Sequence, residues 1–169
     1  YVTDQVNLNL FSKTFGLAVN KLGNGQGTIT STETINCGEV CAQSYADDTK
    51  TVTLTAIPSL HSSFGGWSDP LCPGILPCTV NVRELKNVYA TFNLNSYQLK
   101  VTLKGKGKVT SSPTGISCGK DCKENYTANT QVTLTAKPSK GHKFTKWSGG
   151  GCSGKKTTCT VTMNSARTV

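Results

Sequence analysis

Residues 147–159 read WSGGGCSGKKTTC, and GGGCSGKK within them comes one residue short of a phosphate-binding loop. The pattern G-x-x-x-x-G-K-[ST] cradles phosphates on backbone N–H groups and needs Ser or Thr after its lysine to hold magnesium. Lys156 stands in that place. Such a loop also needs a strand before it and a helix after it, whereas TCTVTM, a strand pattern, follows here. A second copy of the stretch, WSDPLCPGILPC at 67–78, keeps the Trp, the Ser and both Cys but neither the glycine run nor the lysines. What the copies share is a cysteine-closed loop after a tryptophan, which is no nucleotide site.

The eight cysteines carry the next candidate chemistry. Each copy has a C-x3-C pair (Cys37 and Cys41; Cys118 and Cys122) and a later pair of variable spacing (Cys72 and Cys78; Cys152 and Cys159). Eight cysteines allow 105 pairings. Four per copy favours pairing within a copy, and a loop that changes length between copies suits a locally closed hairpin tip. Hence Cys37–Cys41, Cys72–Cys78, Cys118–Cys122 and Cys152–Cys159 are the expected disulfides. The competing reading is one four-cysteine zinc site per copy, because the first pair has a spacing that zinc sites use. An even cysteine count in a Thr-rich chain with one Met favours an oxidising, extracytoplasmic setting.

Other reactive residue types do not assemble. His61 and His142 fall one position apart when the copies are aligned, which argues against a shared metal or catalytic role. No Ser/His/Asp set or carboxylate pair recurs in both copies, so no catalytic residue and no cofactor is expected. Trp67 and Trp147 suggest a stacking platform for sugars, but each lies close to a Phe, and large aromatics mostly serve burial.

The elements that position these residues come from a tandem repeat. TVTLTAIPSLHSSFGGWSDPLC at 51–72 matches QVTLTAKPSKGHKFTKWSGGGC at 131–152 without a gap, INCGEVCAQSY matches ISCGKDCKENY, and CTVNVRELKNV matches CTVTMNSARTV. The expected organisation is an N-terminal strand at 1–13, a first copy at 14–95 and a second copy at 96–169. Leu99, Val101 and Leu103 alternate with Lys100, Thr102 and Lys104; Val132, Leu134 and Ala136 alternate with Thr133 and Thr135. Period two predicts half-buried strands, and GNGQG, KGKGK and SSPTG predict turns. At most one short helix is expected, at 39–47 or its counterpart. Leu54, Phe64, Trp67, Val80 and Phe92 are the expected first core. Leu99, Val101, Leu134, Phe144, Trp147 and Val161 are the second. The fold class is all-β, as two small stapled antiparallel modules.

The motifs G-x-[VI]-T-S, I-x-C-G-x-x-C, V-T-L-T-A-x-P, F-x-x-W-S, C-T-V and V-Y-A-T-F resemble the divergent internalin-type B-repeat over nearly all of 14–169. The resemblance implies a tandem β-rich module of bacterial surface and secreted proteins. It also implies a β-grasp-like fold with a helix on the sheet, a structural or adhesive role, and no catalytic site.

Charge divides the copies. The chain is +9, but residues 96–169 carry 13 Lys/Arg against 2 Asp/Glu, and residues 14–95 carry 4 against 6. Lys100, Lys104, Lys106 and Lys108 form one cluster; Lys137, Lys140, Lys143 and Lys146 form another. The split suggests contact with an acidic polysaccharide or another polyanion, or head-to-tail contact with the acidic copy. No recognition helix or aromatic RNA motif points to specific nucleic-acid reading, and no apolar run reaches the roughly 18 residues of a membrane helix.

The ends complement each other. NVYATFNLN at 87–95 closes the first copy; the second stops at Val169, which matches Val88. YVTDQVNLN at 1–9 resembles 87–95, with Val2, Val6, Leu8 and Leu10 on one face of an extended strand. Two expectations follow: a fragment of a longer array, or a strand donated to a neighbouring molecule's second copy, which would build a filament.

Overall fold

The computed structural model describes residues 15–38 and 41–169. The chain divides into two compact units, with the boundary between Asn93 and Leu94.

The first unit runs β1 (Phe15–Leu22), β2 (Gly27–Ser31), β3 (Asn36–Cys37), β4 (Ala42–Tyr45), β5 (Thr51–Pro58), β6 (Ser62–Trp67), β7 (Cys78–Asn81) and β8 (Leu85–Leu94). Two four-stranded sheets form, in the orders β4-β1-β8-β6 and β3-β2-β5-β7. Their strands bury alternate residues, as period two requires. Val52 and Leu54 of β5, Val80 of β7, and Val88, Ala90 and Phe92 of β8 all enter one cluster with Leu17, Val19 and Ile29. Phe64 and Trp67 pack partly buried against it. Most strand pairs are antiparallel, but β8 lies parallel to β1, with Val88 opposite Val19 and Ala90 opposite Lys21.

The second unit repeats the plan with β9 (Ser96–Lys100), β10 (Gly107–Ser112), β11 (Ser117–Cys118), β12 (Lys123–Thr127), β13 (Gln131–Pro138), β14 (Trp147–Gly149), β15 (Cys152–Gly154), β16 (Thr158–Thr162) and β17 (Arg167–Thr168). Its sheets are β11-β10-β13-β16, β12-β9-β17 and the hairpin β14-β15. Leu99, Val101, Leu134, Trp147 and Val161 are buried in its core, with Phe144 packed on the edge.

Two sequence expectations need correction. The described residues contain no helix, which agrees with the limit of at most one short helix, whereas the helix on the sheet that the resemblance implies is not among them. The segments 42–45 and 123–127 are strands, and in β12 the exposed Lys123, Asn125 and Thr127 alternate with the buried Tyr126 and half-buried Glu124. Strand pairing with β1 and β9 satisfies their backbone. The alternation through Lys104 also predicts a strand longer than the one found, because β9 ends at Lys100. Its parallel partner β17 pairs only as far as Thr168 opposite Lys100. In the first unit β8 accompanies β1 to Thr91 opposite Leu22, and β1 persists to that point. A strand needs neighbours for its N–H and C=O groups, whatever its side-chain pattern.

Candidate binding surfaces

The cysteines pair as Cys37–Cys41, Cys72–Cys78, Cys118–Cys122 and Cys152–Cys159. The thiolates that zinc would need are thereby consumed, and no group of three potential metal ligands occurs among the described residues.

The tryptophans are core anchors. Phe64 and Trp67 meet edge to face at 5.0 Å, and Phe144 and Trp147 are tilted at 5.1 Å. Trp67 Nε1 donates to Leu76 O at 2.9 Å, tying the indole to the loop closed by Cys72 and Cys78. That loop exposes Leu71, Ile75 and Leu76. Sequence reasoning treated it only as a staple, although its ILP composition differs plainly from the polar GKKTT of the second copy. Asp69, in the same loop, is buried and accepts from Lys86 Nζ at 2.6 Å and from Leu71 N at 2.9 Å. The hydrogen bond from Lys86, followed by that from Leu71, holds its carboxyl below the usual range. In the second unit Gly149 and Arg167 occupy these places. Arg167 donates to Thr162 O at 3.0 Å, Gly150 O at 3.2 Å and Asn164 Oδ1. Both units thus tie their final strand to the loop beyond the tryptophan, one through the Asp69 carboxylate and one through the Gly150 carbonyl.

His61 is a backbone residue first. It adopts φ 63°, and Gly141, its counterpart, has φ 78°. Each sits in the turn that follows the strand ending in proline.

One concavity among the described residues lies in the second unit, measures about 760 Å³ and sits between 101–109, 136–138, 142–148 and the end of β17. Val101, Val109, Ala136, Phe144, Trp147 and Val169 give it an apolar floor. In the first unit the corresponding space holds the second half of β8, flanked by β1 and β6. The residues at 142–146, which correspond to most of β6, form no strand.

The divergent InlB B-repeat domain matches this sequence twice, over residues 17–96 and 97–169. The chain belongs to the divergent InlB B-repeat family. Among solved structures, the Bacillus anthracis TIE protein is similar at a TM-score of 0.49 with 7% identity, over 93% of this chain and 33% of that one. No curated protein matches the sequence.

The second B-repeat concentrates the lysines. All eight of the sequence-predicted cluster are exposed. Lys104, Lys106, Lys108, Lys137, Lys143 and Lys146 line the cleft, while Lys100 and Lys140 do not. Two like-charge pairs face each other across strands: Lys108 opposite Lys137 and Lys100 opposite Lys123. Both ion pairs found among the described residues, Lys50–Glu33 and Lys86–Asp69, are in the first B-repeat. Val2, Val6, Leu8 and Leu10 lie outside the described residues.

Proposed function

We propose that this chain is a non-enzymatic, extracellular bacterial repeat protein with a structural or adhesive role. In this reading it joins neighbouring copies head to tail by a strand supplied from residues 1–10. The observation that carries the reading is the tandem of two disulfide-stapled B-repeats built on one strand plan. Addition of a strand to an exposed sheet edge is an established recognition mode, with main-chain hydrogen bonds for affinity and side-chain pockets for specificity. Four disulfides in a chain of this size support the extracellular setting. Sedimentation of the intact protein across a concentration series tests the assembly. Head-to-tail growth is expected for the intact chain and monomers after removal of residues 1–11. A monomer at high concentration in both cases overturns it.

The lysine geometry favours a second reading, a binding module for acidic glycans or other polyanions. Like charges directly opposite on neighbouring strands destabilise a sheet, and an anionic ligand in the cleft would relieve the Lys108–Lys137 pair that lines it. Salt-sensitive retention on a sulfated resin, lost when Lys104, Lys108, Lys137 and Lys143 become Ser, is the expected result. Retention unchanged by those substitutions removes this reading.

A further inference from the structure

We propose that the disulfide-closed loop after Trp67 is a lipid-contacting tip, whose Leu71, Ile75 and Leu76 enter the apolar edge of an anionic bilayer. The proposal rests on the polyanion reading only for the electrostatic share of that contact.

The tip is apolar and held in place. Leu71, Ile75 and Leu76 are 77%, 68% and 72% exposed. Single exposed aliphatic residues are ordinary on a protein surface, but a cluster of them marks an interaction site. Their loop is tethered by the Cys72–Cys78 bond and by the hydrogen bond from Trp67 Nε1 to Leu76 O at 2.9 Å. It also folds over Gly66, where a Cβ would lie 3.2 Å from the Gly74 carbonyl oxygen. The second B-repeat has Lys146 in place of Gly66 and exposes Lys155 and Lys156 in the corresponding loop. The apolar tip therefore belongs to the first copy and not to the repeat plan.

The polar groups around the tip are largely satisfied from within. No charged side chain occurs from Pro70 to Val82. Asp69, at the base of the loop, is buried and paired with Lys86. Pro70, Pro73 and Pro77 have no N–H to leave unpaired. Leu71 N and Cys72 N both donate to Asp69, each at 2.9 Å. Unpaired backbone groups are what a hydrocarbon environment penalises most, and five of the eight residues 70–77 bring no free N–H to the surface.

The residue types separate a bilayer from a protein pocket. Protein hot spots are enriched in Trp, Tyr and Arg and poor in Leu. The tip presents only aliphatic side chains and prolines, with Trp67 packed on the core behind them. Leu71, Ile75 and Leu76 together carry about twelve side-chain carbons, close to one myristoyl chain, which by itself binds membranes weakly and reversibly. A basic patch is the second signal that makes such binding stable on an anionic surface. Residues 96–169, with 13 Lys/Arg against 2 Asp/Glu, supply it within the same chain.

The test is flotation of the intact protein with vesicles of phosphatidylcholine containing phosphatidylglycerol, and with vesicles of phosphatidylcholine alone. Binding to the anionic vesicles is expected, with amide exchange slowed at Leu71, Gly74, Ile75 and Leu76, and weaker binding to the neutral ones. Leu71→Ser, Ile75→Ser and Leu76→Ser together should weaken binding about tenfold or more. Leu60→Ser removes a still more exposed leucine (83%) from the turn before β6, at the other end of that strand from Trp67, and should change nothing. Exchange in β5 and β7 equal to that of the parent protein shows the triple variant to be folded. Vesicle binding that the triple variant retains, or no binding to anionic vesicles, overturns the proposal. Loop protection that grows with protein concentration and needs no lipid also overturns it, and assigns the tip to a second copy. The sulfated resin separates the two readings. Vesicle binding without resin binding keeps the tip and removes the polyanion reading; resin binding without vesicle binding does the reverse.

Discussion

Asp69 accepts a hydrogen bond from Lys86 Nζ at 2.6 Å, and its side chain is far more buried than that of its partner. The contact fastens the first turn of β8 to the loop beyond Trp67. Because the folded state holds the Asp69 carboxyl below its ordinary value, the unfolded chain binds the proton more readily. The stabilisation is therefore present above the usual carboxylate range, about pH 3.9, and is lost as pH falls through that range to the lower folded value. Asp69→Asn should cost about 1–3 kcal/mol at neutral pH, the worth of a hydrogen bond to a charged group. The cost should shrink as pH falls below the usual carboxylate range. Urea midpoints of both proteins across that range check it, and a constant difference would contradict it.

The Lys108–Lys137 and Lys100–Lys123 pairs predict the opposite of ordinary surface-ion-pair behaviour with salt. Screening weakens repulsion between exposed charges beyond about 10 Å at 0.1 M salt and at shorter range as salt rises. Raising sodium chloride from low to moderate concentration should stabilise the second B-repeat by a few tenths of a kcal/mol per pair. Lys108→Thr with Lys137→Ile, the residues of the first B-repeat at those places, should reduce the effect. Site-resolved hydrogen exchange in β10 and β13 measures it.

Unreduced peptide mapping should return four within-repeat disulfides and no stoichiometric zinc. Each short loop removes modest unfolded-chain entropy, so replacing one pair by two alanines should cost about 2 kcal/mol. Calorimetry of the Cys72→Ala, Cys78→Ala double variant checks the size. A loss of folding would mean that this staple also holds the Trp67 loop in place.

Phe92→Ala should destabilise the first B-repeat by about 3–5 kcal/mol, the usual cost of deleting a buried Phe. Phe64 and Gly27 would lose the ring that fills the space between them. Exchange protection should fall first along β6, whose pairing with β8 depends on that ring. Equal loss in the second B-repeat would show the two units to be energetically coupled.

Much of the plan was legible from local pattern. Alternation marked Leu99, Val101, Val132 and Leu134 as inward residues, and the duplicated cysteine spacing pointed to pairing within each copy. Comparison of the copies also exposed Tyr89 and Phe92 as residues of the first copy alone in the given sequence. What escaped the sequence depends on neighbours distant along the chain. The side chains of 99–104 alternate without interruption, yet the strand stops at Lys100, because a ladder needs a partner as well as a pattern. Nothing in the sequence pairs Asp69 with Lys86; β8, lying beside β1, brings Lys86 to the loop. Leu71, Ile75 and Leu76 were hidden by the cysteines around them, which drew attention to the staple and away from what it holds out to solvent.

The parallel pairing of β1 with β8 joins the two ends of the first unit. Contacts of such long sequence separation incur loop-closure entropy before they are rewarded, and folds built on them form slowly. The hairpins between them can form first, but the outer edge of β1 is covered only when residues near Val88 come to lie beside it. The first B-repeat therefore closes last at the seam that joins its own two ends, and a late fault in β8 leaves that seam open while the hairpins stay intact.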